Sequence, residues 1–203
     1  MKLYEEPRAP NPRRVRIFLA EKGIAVPRVS IDINKMEHKT PEFAALNPFQ
    51  RTPTLQLDDG TVIAESIAIC RYFEEVQPDP PLFGIGAVGK ALVEMWQRRI
   101  EFGLLLAVAA AFRHLHPAMA QMEVPQVTAW GEANKPKAIE FLQVLDGQLA
   151  DSQFVCGDAF TVADITGLVA VDFMRPAKIT LPEELANVRR WHSVVSERPS
   201  ARA

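Results

Sequence analysis

Glu65 and Ser66 set an acid beside a hydroxyl just ahead of a helical pattern, and that pairing can hold a small zwitterion. A helix N-terminus and a hydroxyl suit a carboxylate, while the neighbouring acid suits an ammonium. An ordinary helix start, with its acid offsetting the dipole, explains the same two residues. Thr52-Pro53 is the second candidate. A proline that opens a strand cannot donate to the ladder, so it belongs at an edge or a bend. With a cis bond, the N–H and C=O of Thr52 turn outward and can pair with an extended peptide as another strand would. A trans proline at a strand edge is the plainer alternative.

Residues 51–75, RTPTLQLDDGTVIAESIAICRYFEE, supply the elements that position both candidates. Leu55 and Leu57 alternate with polar residues, the period of a half-buried strand. Asp59-Gly60 signals a hairpin, because both positions tolerate positive φ. From Ser66 the period changes, and Ile69, Tyr72, Phe73 and Val76 fall on one helical stripe. Upstream, strands are expected at 2–4 and 28–33, a helix at 12–22 and a helical turn at 41–46. Asn11 is expected as N-cap of the first helix, with Pro12 at its first position and Gly23 as its left-handed stop. Val15, Phe18 and Leu19 supply its buried face. Composition shifts near Gln77. The expected domains are a βαβ-α-ββα domain at 1–77, a stiff proline linker at 78–86 and an all-helical domain at 87–203. Helices are expected near 86–116, 125–151, 161–174 and 182–197, with Pro125 and Pro136 blurring the second. Thr161-Val-Ala-Asp164 reads as a structural cap opening a helix, and Trp191 reads as core.

Bulk properties exclude several classes. The chain has 203 residues and a net charge of −2, so no long-range field draws it to nucleic acid or anionic lipid. Its two cysteines, Cys70 and Cys156, have neither CxxC nor metal spacing, which implies a reducing compartment and no structural metal. The most apolar run, 104–112, is far short of a membrane span, and no signal-peptide pattern opens the chain. A soluble cytoplasmic protein is expected.

The same residues carry a family likeness. The segment from Thr52 to Phe73 resembles the glutathione-binding half of the cytosolic glutathione transferases: a cis-proline, then DG, then E-S before an A-I helix. LYEEPRAPNPRRVRIFLAEKG resembles the family's first strand and helix, and HKTPEFAALNPFQRTP its second helix and approach to the proline. FVCGDAFTVADI and RRWHSVVSERPS resemble the two signatures of its helical domain. The resemblance spans nearly the whole chain. It implies a thioredoxin-like α/β N-terminal domain with an all-α C-terminal domain, and glutathione as co-substrate with no cofactor or metal. It also implies a small apolar electrophile as the second substrate, a detoxifying role, and a homodimer formed through the helix after Glu65 and the first two helical-domain helices. Glutathione peroxidase side activity is a further implication. On this footing Glu65, Ser66, Thr52 and Pro53 bind glutathione. His38 or Lys39, supplemented by Gln50 and Arg51, grips its glycine carboxylate, although His38 and Lys39 also suit a solvated surface pair.

One departure bears on mechanism. The family places the sulfur at the loop after the first strand, where most members carry Tyr, Ser or Cys, and here Ala9 offers no hydroxyl. A thiol of pKa ~8.5 lowered by ~2 units needs about 2.7 kcal/mol, and a helix N-terminus supplies about 0.3–2 kcal/mol. The Asn11 amide, the N–H groups of the first turn and Arg8 or Arg13 can add the rest. Tyr4 reads as a floor residue with a locally bonded hydroxyl. The chain is most similar to a bacterial and fungal class lacking all three usual groups, in which a water held by helical-domain residues assists the thiol. Arg113 and His114 are the hypothetical counterparts here, but the matching serine position is Ala109, and cations at a helix C-terminus also simply complement the dipole. Phe102, Leu105, Leu106, Phe112 and Met119 are candidates for the electrophile's site. Three functions therefore compete: a transferase, a non-catalytic glutathione-binding protein, and a thiol-disulfide oxidoreductase. The last lacks a cysteine in the first loop.

Overall fold

Two fully buried leucines, Leu3 and Leu55, lie opposite each other at the centre of a four-stranded sheet. The computed structural model describes residues 1–203 and divides into two units, Met1–Pro81 with Pro199–Ala203, and Leu82–Arg198. In the first unit, β1 (Lys2–Glu5) is followed by α1 (Pro10–Glu21), β2 (Arg28–Ser30) and α2 (Pro41–Leu46). The hairpin β3 (Thr54–Gln56) and β4 (Val62–Ala64) and then α3 (Ser66–Val76) complete it. The strand order is β2-β1-β3-β4, with β1 and β2 parallel and the other pairs antiparallel. The thioredoxin-like order expected from the sequence is present. Leu3 and Leu55 are buried, as are Val15, Ile17 and Phe18 of α1 and Ile69, Cys70 and Phe73 of α3, and α3 packs on both β3 and α1. The alternate residue Tyr4 points to the other face, its ring edge-on to Phe43 of α2.

Three expectations shift here. The buried stripe of α3 runs through Ile69, Cys70, Phe73 and Glu74, while Val76 is exposed, so the packing face is rotated from the one proposed. The linker does not hang as a separate 78–86 strap. Lys22 buries its ammonium against the carbonyls of Gln77 (2.7 Å), Pro78 (3.3 Å) and Pro80 (2.7 Å), and against Glu74 Oε2 at 2.7 Å. That tie holds residues up to Pro81 in the first unit, whereas Leu82 and Phe83 are buried in the second. Residues 199–203, assigned from sequence to the helical domain, join the first unit instead. Arginines of α1 supply the reason: Arg13 Nη2 donates to the Ala201 carbonyl and Arg16 Nε to the Ala203 oxygen, each at 3.1 Å.

The second unit is all helical, as expected. α4 (Gly86–Arg99) and α5 (Leu106–Leu115) form one run, joined by a widened π turn at Ile100–Leu105. α6 (Thr128–Gln148), α7 (Val162–Met174) and α8 (Ala186–Ser196) follow. Pro136 is accommodated inside α6. Gly103 of the π turn is required there, since a Cβ would stand 2.3 Å from the Phe141 ring. α7 is buried on nearly all sides and forms the core of the unit. At its start Asp164, fully buried, accepts from the N–H of Val155, the N–H and hydroxyl of Thr161, and Nε1 of Trp191, at 2.9–3.0 Å. Burial pushes its carboxyl pKa up, against those donors. Thr161 and Asp164 thus do more than cap a helix: they tie the preceding loop and the buried Trp191 to it.

Candidate functional site

The sheet register collects the candidate residues. Glu5 pairs with Ser30, Tyr4 with Thr54, and Thr54 with Ala64. The C-terminal ends of β1, β2 and β4 and the N-terminal end of β3 therefore share one edge of the sheet. In strand order that edge carries the loop with His38 and Lys39 after β2, and the tip of α1 after β1. Next come Arg51, Thr52 and Pro53 before β3, and last Glu65 and Ser66 after β4.

The tip of α1 starts earlier than expected. Ala9, not Asn11, is the N-cap, and Pro10, Asn11 and Pro12 are the first three helical residues. Both prolines fit because no N–H in a first turn has an intrahelical acceptor to lose. Ala9 N–H bonds the Glu6 carbonyl at 3.1 Å, and Arg13 N–H already closes on the Ala9 carbonyl at 3.3 Å. The N–H of Asn11 is consequently the one main-chain donor of this turn with no acceptor in the chain. The exposed Asn11 side chain stands beside it, with Oδ1 accepting from Arg14 Nη2 at 2.9 Å. The preceding loop is held by Glu6, whose Oε1 accepts from both N–H and Nε of Arg8 at 3.0 Å.

The Thr52–Pro53 bond is cis, and Thr52 has no main-chain partner outside the ladder. Asn47, a buried side chain that the sequence reading missed, brackets this loop. Its Nδ2 donates to the Arg51 carbonyl at 2.9 Å and to Thr54 Oγ1 at 3.1 Å, and its Oδ1 accepts from Phe49 N–H at 3.1 Å. The Asn-Pro dipeptide at 47–48, a turn signal, was the available clue. Lys39 Nζ donates to Gln50 Oε1 at 2.9 Å and so links the β2 loop to the β3 loop. His38 is only 6% exposed and its Nδ1 is buried without a partner. Desolvation, then the charges of Lys39 and Arg51, lower its pKa, so the ring is neutral at pH 7. Glu65 holds φ +69 as the residue before α3, an uncommon conformation for a side-chain-bearing residue and a frequent mark of ligand sites. Ser66 is buried at the first position of that helix.

Arg113 and His114 both have partners on the connection that follows α5. Arg113 Nε pairs with Glu123 Oε2 at 2.6 Å, and His114 Nδ1 accepts from Val127 N–H at 3.0 Å. Gln126 Nε2 adds bonds to the carbonyls of Arg113 (2.8 Å) and His116 (3.0 Å). Both residues therefore lash the 116–127 connection to α5. Of the electrophile candidates, Leu105 is core, Phe102 and Leu106 are exposed, and Phe112 stacks on His116 and lies tilted against Phe173. Met119 is half-buried. Tyr4 donates to Gln56 Oε1 at 3.0 Å within a shallow groove of about 650 Å³ beside α2, which includes none of the predicted site residues. Burial pushes the thiols of Cys70 and Cys156 up to about 12, which leaves no reactive thiolate for disulfide exchange. No cluster of side chains suits a metal, and no helix is long and apolar enough to cross a membrane.

Comparison with known proteins agrees with this architecture. Residues 9–76 match the family model for the glutathione S-transferase N-terminal domain, and 131–199 that for its C-terminal domain. The chain is 38% identical over its whole length to glutathione S-transferase 2 of Saccharomyces cerevisiae, covering 88% of that protein. The yeast Gtt2 crystal structure superposes with a TM-score of 0.95 over 100% of this chain and 99% of that one, at 38% identity. A glutathione S-transferase domain-containing protein of Marinobacter aquaeolei has 40% identity and a TM-score of 0.95, over 98% and 99% of the two chains. The Gtt2-class enzyme of Vibrio parahaemolyticus has 39% identity and a TM-score of 0.87, over 98% and 95%. The chain belongs to the glutathione S-transferase family.

Proposed function

We propose that this glutathione transferase lays its tripeptide along the shared edge of the sheet and activates the thiol at Asn11. The observation that carries the reading is the order of groups across β2-β1-β3-β4: cations, an unsatisfied helix tip, an outward main-chain pair, then an acid with a hydroxyl. Glutathione presents complementary groups: a carboxylate, a thiol, a cysteinyl main chain and a zwitterionic γ-glutamyl head. Lys39 and Arg51 balance the glycine carboxylate, with neutral His38 as a hydrogen-bonding neighbour. The N–H and C=O beside Pro53, those of Thr52, pair with the cysteinyl residue. Glu65 takes the ammonium, and Ser66 with the start of α3 takes the α-carboxylate.

The sulfur then meets the positive end of α1, the Asn11 N–H and the Asn11 Nδ2. A hydrogen bond to a charged group contributes about 1.5–3 kcal/mol, and the dipole about 0.3–2 kcal/mol. Together they reach the scale needed to lower a thiol pKa by ~2 units. The proton leaves to solvent. The thiolate forms a carbon–sulfur bond with a small apolar electrophile, and the leaving group departs with its bonding pair. With an organic peroxide the thiolate attacks oxygen, the O–O bond breaks and the alkoxide departs as an alcohol, and a second glutathione thiol converts the resulting sulfenic acid to the disulfide with loss of water. Arg113 and His114 serve the fold, not the thiol. Ile85, Val88 and Leu92, exposed at helical spacing, suit contact with a second copy. Two unpaired cysteines suit the reducing cytoplasm.

Calorimetric titration with reduced glutathione and with S-methylglutathione, followed by turnover of a chloronitroarene, tests this reading. Binding of both, a bound thiol pKa clearly below ~8.5 and measurable turnover are expected. Binding with an unshifted thiol and no turnover would instead identify a glutathione-binding protein, the alternative that Ala9 suggests.

A further inference from the structure

We infer that Arg14 is a positioning residue for the thiol: its buried guanidinium fixes the Asn11 amide with oxygen inward and the NH2 group outward, toward the sulfur. The inference rests on the glutathione reading above. Arg14 is 3% exposed on the inner side of α1, close enough to Cys70 of α3 for its charge to act on that thiol. Three residues apart on a helix, Asn11 and Arg14 are neighbours, and Nη2 reaches Oδ1 at 2.9 Å.

The chemistry of the pair decides the orientation. An amide presents oxygen on one side and NH2 on the other, nearly equal in size, so shape alone does not choose between them. A guanidinium can only donate. The atom facing Arg14 must therefore be the oxygen, which turns the two N–H bonds of Nδ2 away from the protein. Proline at the first and third positions of α1 leaves just one main-chain donor in this turn, so the side-chain NH2 is the second donor at the tip. With Arg14 removed, the amide is free to rotate, and its NH2 group is no longer held in advance toward the sulfur.

Titration of bound glutathione by its thiolate absorbance tests this in the wild type, Asn11→Ala, Arg14→Gln, Arg14→Lys and the Asn11→Ala/Arg14→Gln double variant. Asn11→Ala is expected to raise the thiol pKa by about one unit or more, and Arg14→Gln by about half a unit or more. Because Arg14 acts through Asn11, the double variant should match Asn11→Ala alone. Arg14→Lys, still a pure donor, should stay within about 0.3 unit of the wild type. The affinity for S-methylglutathione should vary less than about twofold across the set. If Asn11→Ala shifts the thiol and Arg14→Gln does not, the inference fails while the glutathione reading stands. An equal Arg14→Gln shift in the Asn11→Ala background would mean that the charge acts directly, and would also overturn it. If Asn11→Ala causes no shift, the thiol reading itself fails and takes the inference with it. Should Arg14→Gln not fold, wild-type NMR decides: the Asn11 side-chain NH2 signals should move on adding reduced glutathione, and unmoved signals refute the inference.

Discussion

The first turns of α7 and α1 treat their polar groups in opposite ways. At α7 a single carboxylate, Asp164, is sealed from water and collects four donors from a loop, a cap and a distant tryptophan. At α1 no side chain caps the helix, and Asn11 keeps a main-chain N–H and an outward-facing amide without acceptors. Both starts resemble capped helices in sequence. The difference between them is satisfaction: a polar cluster that closes on itself holds a fold together, whereas one left open at the surface is available to a ligand.

The α7 side of this contrast carries the largest expected effect. Asp164→Ala leaves buried donors of Val155, Thr161 and Trp191 without an acceptor, so urea unfolding should show a loss of about 3 kcal/mol or more. Glutathione affinity of the molecules that remain folded should not change. A loss near 1 kcal/mol, the cost of a helix cap alone, would mean that the hub is incidental. On the α1 side, Lys39→Ala and Arg51→Ala should each weaken glutathione about 3–10-fold without altering stability, and more so at low salt. An effect on unfolding but not on binding would place these cations with the fold.

The smallest effect concerns His38. Its folded-state pKa is lowered from 6.5, by burial first and then by Lys39 and Arg51. The unfolded chain thus binds the proton first as pH falls below 6.5. Stability from this group is full above that value and is lost on acidification, with a slope of at most about 1.4 kcal/mol per pH unit. His38→Asn should flatten the unfolding midpoint over that range. An unchanged profile would show that some other group sets it.

Much of the fold was legible because the determining signals are local. Asp59-Gly60 needs only two residues to specify a hairpin, and Gly60 has φ +89. Thr161 and Asp164 mark a helix start by their spacing. The candidate residues Glu65, Ser66, Thr52 and Pro53 were visible for the same reason, each pair lying at an element boundary. What escaped the sequence was long-range. The Asp164 bond to Trp191, the Asn47 bracket and the burial of Lys22 against the linker carbonyls all depend on which segments meet in space. The α1 start was misplaced because Asn11 is an excellent cap in isolation; Pro10 and Pro12 together favour the earlier start, since a first turn tolerates both. The partners of Arg113 and His114, the Glu123 carboxylate and the Val127 N–H, escaped as well, because they lie on a connection with no periodicity to reveal it.

The central claim is that the open tip of α1 is where the thiolate sits. A crystal structure of this protein with reduced glutathione bound tests it most directly. The sulfur is expected within hydrogen-bonding distance of both the Asn11 N–H and Asn11 Nδ2, with the γ-glutamyl head at Glu65 and Ser66. A sulfur lying instead against Arg113 or His114, or pointing into solvent away from Asn11, would contradict it.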